Sequence, residues 1–299
     1  MKKLNAFALF TITYFAWFYG LVGLRTEHFT LFCLIVGCYF IHPTTQRFIY
    51  AFAVFIVFWI LYDSMRVMPN YTVNPIHIQE PYLIEKTWFG IKNTEGVLQT
   101  WNEYFKLNPS PTLDFLTGLA YLNWVPIPLI FAFYLFLKQK RLFLKFSYAF
   151  LFTNIIGFCI YYAYPAAPPW YVEQYGFQVI HGTPGNAAGL LNFDKLTGTT
   201  IFAGLYQKNA NVFAAMPSLH SAYPVLCLLY GWRLKSPILN VFFTIFVISI
   251  WFSAVYTRHH YIIDVLAGGV TGLLGYFTFE YLSEKTRLKS WFDRLEKSI

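Results

Sequence analysis

The sequence reads as an all-α protein, a polytopic membrane helix bundle of about eight spans. Of its 299 residues 57% are hydrophobic and only 12% charged, roughly half the charged fraction of a soluble domain. Apolar stretches close to the ~20 residues that a bilayer-crossing helix needs recur along the chain. No internal repeat or low-complexity tract interrupts them.

Residues 1–63 read as a group of N-terminal transmembrane helices, with spans at about 4–24, 28–42 and 47–63. MKKLNAFALF begins like a signal peptide. The apolar run continues to Leu24 without an A-x-A cleavage site, which favours a retained first span. The second span is short, so a re-entrant pair with the third is the alternative. Residues 64–112 form an interfacial amphipathic segment: in YLIEKTWFGI and VLQTWNEYF, aromatic and charged residues alternate at near-helical spacing. Residues 113–282 hold the remaining spans, at about 113–137, 142–164, 213–232, 238–256 and 259–282. Pro126 and Pro128 are expected to kink the first of these. Residues 165–212, rich in Gly, Pro, Asn and Thr, read as a loop or lid. Residues 283–299 form a tail.

Lys and Arg set the orientation. One side collects Lys2, Lys3, Arg47, the KQKRLFLK block at 138–145, Arg233, Lys235 and five basic residues of the tail. The other has Arg25, Arg258 and the sparse positives of the long loops. The denser side is expected to be cytoplasmic, with both termini there. The +8 net charge is then explained by basic loops, and nucleic acid is not an expected partner. Cys33, Cys38, Cys159 and Cys227 lie in apolar segments without CxxC or CxxH spacing. That argues against a disulfide framework or a zinc site and leaves them as packing residues.

Two stretches, MPSLHSAYP at 216–224 and TRHHYIID at 257–264, put histidines and a carboxylate at the starts of two spans. Ionisable groups there usually mark a function. Both starts fall on the non-cytoplasmic side, periplasmic or lumenal. Pro217 suits a helix's first turn, and the free N–H groups of the two helix starts would suit phosphate. His220, about one turn into its span, would exchange a proton with a phosphoester oxygen. His260 and Asp264 at i and i+4 share a helix face, whereas His259 lies well around from Asp264. A carboxylate on one ring nitrogen leaves the other free to attack, and Arg258 would balance phosphate charge. No metal or other cofactor is needed for phosphoryl transfer through a phosphohistidine.

Either motif alone is more often a packed or solvated histidine, and Asp264 alone could cap its helix or pair with Arg258. A bis-histidine haem site is a further reading, one that wants histidines facing each other across the bundle. His28, His42 and His77 read as structural, while His181 in the second long loop is a weaker substrate candidate.

At these residues the chain resembles the type 2 phosphatidic acid phosphatase superfamily, known by KxxxxxxRP, PSGH and SRxxxxxHxxxD. PSLH supplies the second signature and Ser253, His260 and Asp264 the third, over roughly 110–282. Ala254 replaces the third signature's arginine, and YPAAPPWY replaces the first without any cation. PPWY, MPSLHS, YxxHHYxxD and LDFLTGLAYLNWVPIPL are similar to the inositol phosphorylceramide synthase branch. The resemblance implies a six-helix catalytic core within 113–282. It also implies a phospholipid donor, a ceramide-like acceptor and phosphate or substrate contacts from Ser218, Pro169, Trp170 and Tyr171. His260 would be the nucleophile, oriented by Asp264, and His220 the acid and then the base. A diester monoanion needs less positive compensation than a monoester dianion, in keeping with the missing arginines. Hydrolysis of phosphatidate or a polyprenyl diphosphate is the alternative, and a non-catalytic transporter is a third reading.

Overall fold

The apolar stretches all become helices, but their boundaries and lengths differ from the pattern. The computed structural model describes the backbone of residues 2–208 and 211–299, with side chains from residue 7 onward. The side chains of Lys2 and Lys3, counted above for orientation, thus lie outside the described residues.

Helix α1 (Lys2–Trp17) runs on through a π-helical turn, Phe18–Val22, to Gly23. Helices α2 (Thr26–Ile41) and α3 (Pro43–Ser64) follow, divided by His42, whose ring accepts from the Thr44 N–H at 3.1 Å while Pro43 takes the first helical position. Buried His28 stacks on Phe18 and, with Arg25, meets Asp63, which supports its structural reading.

The segment 64–112 carries α4 (Gln79–Phe89), a hairpin of β1 (Ile91–Lys92) and β2 (Leu98–Gln99), and α5 (Trp101–Leu107). Thr100 caps α5 by accepting from the Glu103 N–H, and Glu103 accepts the Thr100 N–H in return. The expected 113–137 span is two helices, α6 (Pro111–Leu122) and α7 (Pro126–Lys138), bent by 41°. Pro126 starts the second rather than kinking one continuous helix. Helix α8 (Lys140–Ala163) follows. The connection at 165–212, expected as a loop or lid and not a span, carries three short helices: α9 (Pro169–Tyr175), α10 (Leu190–Thr197) and α11 (Ile201–Tyr206). Last come α12 (Leu219–Trp232), α13 (Pro237–Tyr256), α14 (Ile262–Lys285) and α15 (Leu288–Ser298), the last formed by the tail.

By length and composition α3, α8, α13 and α14 are able to cross a bilayer, with a fifth span if α6 and α7 count as one. At 1.5 Å per residue, α2 covers ~24 Å and α12 ~21 Å, short of a ~30 Å hydrocarbon core. The cysteines are free, and Cys33 and Cys159 are exposed rather than packed as expected.

Three helices position the site. Helices α12 and α14 run parallel and α8 antiparallel to both. At one end the Tyr161 hydroxyl of α8 donates to the Pro217 carbonyl at 3.0 Å. At the other, Lys145 of α8 pairs with Glu280 (2.9 Å) and Glu284 (2.7 Å) of α14, and Arg233 joins Glu280 at 2.9 Å. The histidines and this ionic network therefore occupy opposite ends. Close approach depends on glycine: a Cβ on Gly268 would run into the Ser218 carbonyl, and one on Gly275 into the Thr153 hydroxyl.

The two long connections meet over the histidine end. His77 N donates to Pro165 O (2.7 Å), Ala167 N to His77 O (2.9 Å), and Ala166 N to Phe213 O (2.9 Å). The proline-rich YPAAPP strip is thereby held between residue 77 and the approach to α12. His77 stacks on Tyr164, a structural role.

Candidate active site

Helix α12 starts later than the pattern suggests. Pro217 precedes the helix instead of opening it, and Ser218 is the N-cap, its Oγ accepting from the Ser221 N–H (3.3 Å) and hydroxyl (3.0 Å). The Ser218 N–H donates to the Asp264 carbonyl at 2.9 Å, which ties the two helix starts together. His220 follows in the first turn.

Helix α14 starts at Ile262, so His260 and His259 lie in the turn before it rather than on its face. The i,i+4 pairing nonetheless forms: His260 Nδ1 is 3.6 Å from Asp264 Oδ2, while that oxygen accepts the Tyr261 N–H at 2.9 Å. The extended backbone of Tyr261 turns the chain back over the helix end. His260 Nε2 points at His220 Nδ1, 3.3 Å away. His260 and Asp264 are buried and His220 is half-buried. Trp124 meets the His220 ring edge-on, and Tyr121 lies against its face.

His259 turns elsewhere, with Nδ1 3.1 Å from the Thr257 hydroxyl and its ring against Tyr206. Burial first, then the neighbouring His260 and Arg258, push its pKa down to about 3. It is therefore neutral throughout the physiological range. Arg258, in a left-handed conformation (φ 64°), pairs with Glu173 at 3.3 Å, not with Asp264.

The α14 N-terminus was expected to offer free N–H groups, and the structure corrects this. Glu85 of α4, fully buried, accepts Ile262 N–H at 3.0 Å through Oε1 and Ile263 N–H at 3.1 Å through Oε2. With Asp264 on the Tyr261 N–H, this helix end is already met by protein carboxylates. Burial raises the Glu85 carboxyl to about 7; the two N–H groups pull it down and the Asp264 charge pushes it up.

Asn102 of α5 is the second residue that the pattern missed: its amide donates to Val255 O (2.9 Å) and His260 O (3.0 Å). In α4 the apolar Leu83, Ile84 and Trp88 are exposed while Glu85 is buried. A charge inward with apolar residues outward was the available signal. Of the PPWY residues, the Trp170 backbone N–H donates to Arg258 O (3.1 Å) and the Tyr171 hydroxyl to Gln178 O (2.7 Å). Both are buried in a cluster with Phe213, and Pro169 opens α9. His181 packs against Tyr71. Ser253 donates to Ser249 O within α13.

Among the described residues no group of three or more His, Cys, Asp or Glu is placed to hold a metal ion. What the arrangement offers is a buried imidazole between a carboxylate and a second imidazole. One ring nitrogen is thus able to act as nucleophile while a proton-exchanging group stands within hydrogen-bond range.

The family model of the PAP2 superfamily matches residues 95–278. The chain is 45% identical over 281 residues to the phosphoinositol dihydroceramide synthase of Bacteroides thetaiotaomicron, covering 93% of this chain and 92% of that protein. It is 32% identical to the inositol phosphorylceramide synthase catalytic subunit of Saccharomyces cerevisiae, over 84% of this chain and 60% of that protein. Against the inositol phosphorylceramide synthase of Candida albicans it is 30% identical, over 83% of this chain and 50% of that protein. No solved structure matches the chain.

Proposed function

This chain belongs to the PAP2 superfamily, and from that membership we propose that it is a membrane phosphotransferase moving phosphoinositol from a glycerophospholipid to the primary hydroxyl of a ceramide-type lipid. The single observation that carries the chemistry is the Asp264–His260–His220 line, with 3.6 Å and 3.3 Å steps. The similarity to phosphoinositol dihydroceramide synthase over nearly the whole of both chains supports the substrate class.

In the first half-reaction His260 Nε2 attacks the donor phosphorus. The bond to the diacylglycerol oxygen breaks, and His220 gives that oxygen its proton. Asp264 holds the His260 ring and offsets the positive charge that grows on it. In the second half-reaction His220 takes the acceptor hydroxyl's proton, the oxygen attacks phosphorus, and the phosphorus–nitrogen bond breaks. Attack on the phosphodiester passes through a crowded phosphorane-like state, whose negative charge the positive end of the α12 dipole would offset. The site is assigned to the periplasmic or lumenal face, a reading supported by the basic residues that gather at the opposite end of α8, α12 and α14.

The test incubates purified protein in mixed micelles with headgroup-labelled phosphatidylinositol, with and without ceramide. A labelled lipid product formed only with ceramide is the expected result. Soluble labelled inositol phosphate released without an acceptor would replace transfer by hydrolysis.

A further inference from the structure

Helix α15 does not continue α14 but folds back against it. The chain turns at Thr286, which is extended (φ −121°, ψ 179°). The ring of Phe292 then returns to within 5.4 Å of Phe279 on α14 and of Tyr148 on α8. Phe292 and Ile299 are buried, and Lys140 at the start of α8 donates to the Ile299 carbonyl. The helix is thus laid on the end of the bundle that carries Arg141, Lys145 and Arg233, away from the histidines.

Its outward side is apolar along one stripe and basic beside it. Leu288 and Trp291 are 41% and 38% exposed, and Trp291 rests edge-on against Tyr148 at 5.3 Å. Tyr148, Ile155 and Cys159 recur at spacings of seven and four, so they share one face of α8, a helix able to cross a bilayer. Ile155 and Cys159 are exposed. Whatever layer covers that face reaches Trp291 at the charged end. There the positive charge is not offset. Both carboxylates of α15 sit on Arg141, Asp293 at 2.6 Å and Glu296 at 3.5 Å, and Lys289 shares Asp293 at 3.6 Å. Arg287, Arg294 and Lys297 are exposed and pair with no carboxylate among the described residues. Arg287 and Arg294 flank Trp291 at i−4 and i+3, on the same side of the helix.

The occupant must therefore offer an apolar layer that gives way to negative charge. A leaflet boundary with anionic headgroups does so, whereas an acidic soluble partner or a nucleic acid would bring the charge without the layer. We propose that α15 is an interfacial anchor for anionic phospholipids in the leaflet away from the histidines. Leu288 and Trp291 enter the acyl boundary, and Arg287, Arg294 and Lys297 meet the phosphates. This role is independent of the reaction at His260.

The experiment measures hydrogen exchange across residues 288–298 of the full chain in nanodiscs of phosphatidylcholine, with and without phosphatidylglycerol. Each Lys or Arg at an anionic surface is worth about a fivefold change, so exchange at least about fivefold slower with phosphatidylglycerol is expected. Salt near ~1 M, which shortens screening to ~3 Å, should abolish the difference. So should the triple variant Arg287→Gln, Arg294→Gln, Lys297→Gln, with its Tm in detergent unchanged. Equal exchange by the wild type in both discs would overturn the anchor, as would a difference kept by the triple variant. Protection confined to discs holding two copies would assign the face to a second copy and overturn it too. Should the triple variant fold poorly, the salt dependence of the wild type decides alone.

Discussion

Nδ1 of His220 stands 3.3 Å from Nε2 of His260, across 40 residues of chain. The contact follows from the parallel packing of α12 and α14. It is fixed by the Ser218 N–H on the Asp264 carbonyl and by the missing side chain at Gly268. Two helix starts that share a backbone hydrogen bond cannot easily drift apart, so the histidines are held before any substrate arrives.

Replacing either partner of His260 should cost turnover without unfolding the protein. His220→Ala removes the proton donor and acceptor, and a loss of ~10²–10⁴-fold in kcat is expected. Asp264→Asn keeps the shape but not the charge, and a loss of similar size is expected. Steady-state transfer assays beside thermal melts in detergent check both. Near-normal kcat in either variant would remove that residue from the mechanism.

Glu85 links the 64–112 segment to the site. Glu85→Ala strands two buried N–H groups, at ~1–3 kcal/mol for each unsatisfied group, and a lower Tm together with reduced turnover is expected. The pH dependence has a definite sign. Its carboxyl titrates at about 7 when folded against an ordinary 4.5 when unfolded, so the folded state holds the extra proton between those values. Stability that this group lends below 4.5 is lost as pH rises through 7. Melts across pH 4 to 8 should show that decline, flattened in Glu85→Gln.

Gly268→Val should separate the helix starts. Its side chain would press on the Ser218 carbonyl, and overpacking of this kind costs ~1–3 kcal/mol. A lower Tm and a fall in kcat larger than in KM are expected. Unchanged kcat would show that the α12–α14 spacing does not matter for transfer.

Chelation should leave the rate unchanged, because the proposed steps use side chains alone. Transfer assayed after dialysis against EDTA checks this. A loss restored by added Mg²⁺ or Zn²⁺ would bring a metal into the reaction.

Much of the fold was legible because apolar runs are long and turn residues mark their ends. Pro43, Pro111 and Pro237 open helices within a few residues of the expected span starts at 47, 113 and 238, whereas Pro126, expected to kink a span, opens a helix of its own. Of the site, the His260–Asp264 spacing was legible even though His260 precedes the helix, since the capping turn keeps the two within 3.6 Å. Less legible was whatever long-range packing decides. Glu85 reaches residues 177 positions away, and Asn102 reaches His260 from the far side of eight helices in sequence. Both read locally as solvated polar groups of a surface helix. The short helices α9 to α11 were hidden by glycine and proline content that resembles a loop.

The central claim, that His260 carries the phosphoinositol group, has a direct measurement. Protein incubated with phosphatidylinositol but no acceptor, quenched in alkali to preserve phosphorus–nitrogen bonds, is digested and mapped by mass spectrometry. A phosphoinositol adduct on His260, lost on adding ceramide and missing from His260→Ala, is the expected result. Undiminished transfer by His260→Ala, with no adduct in the wild type, would contradict it.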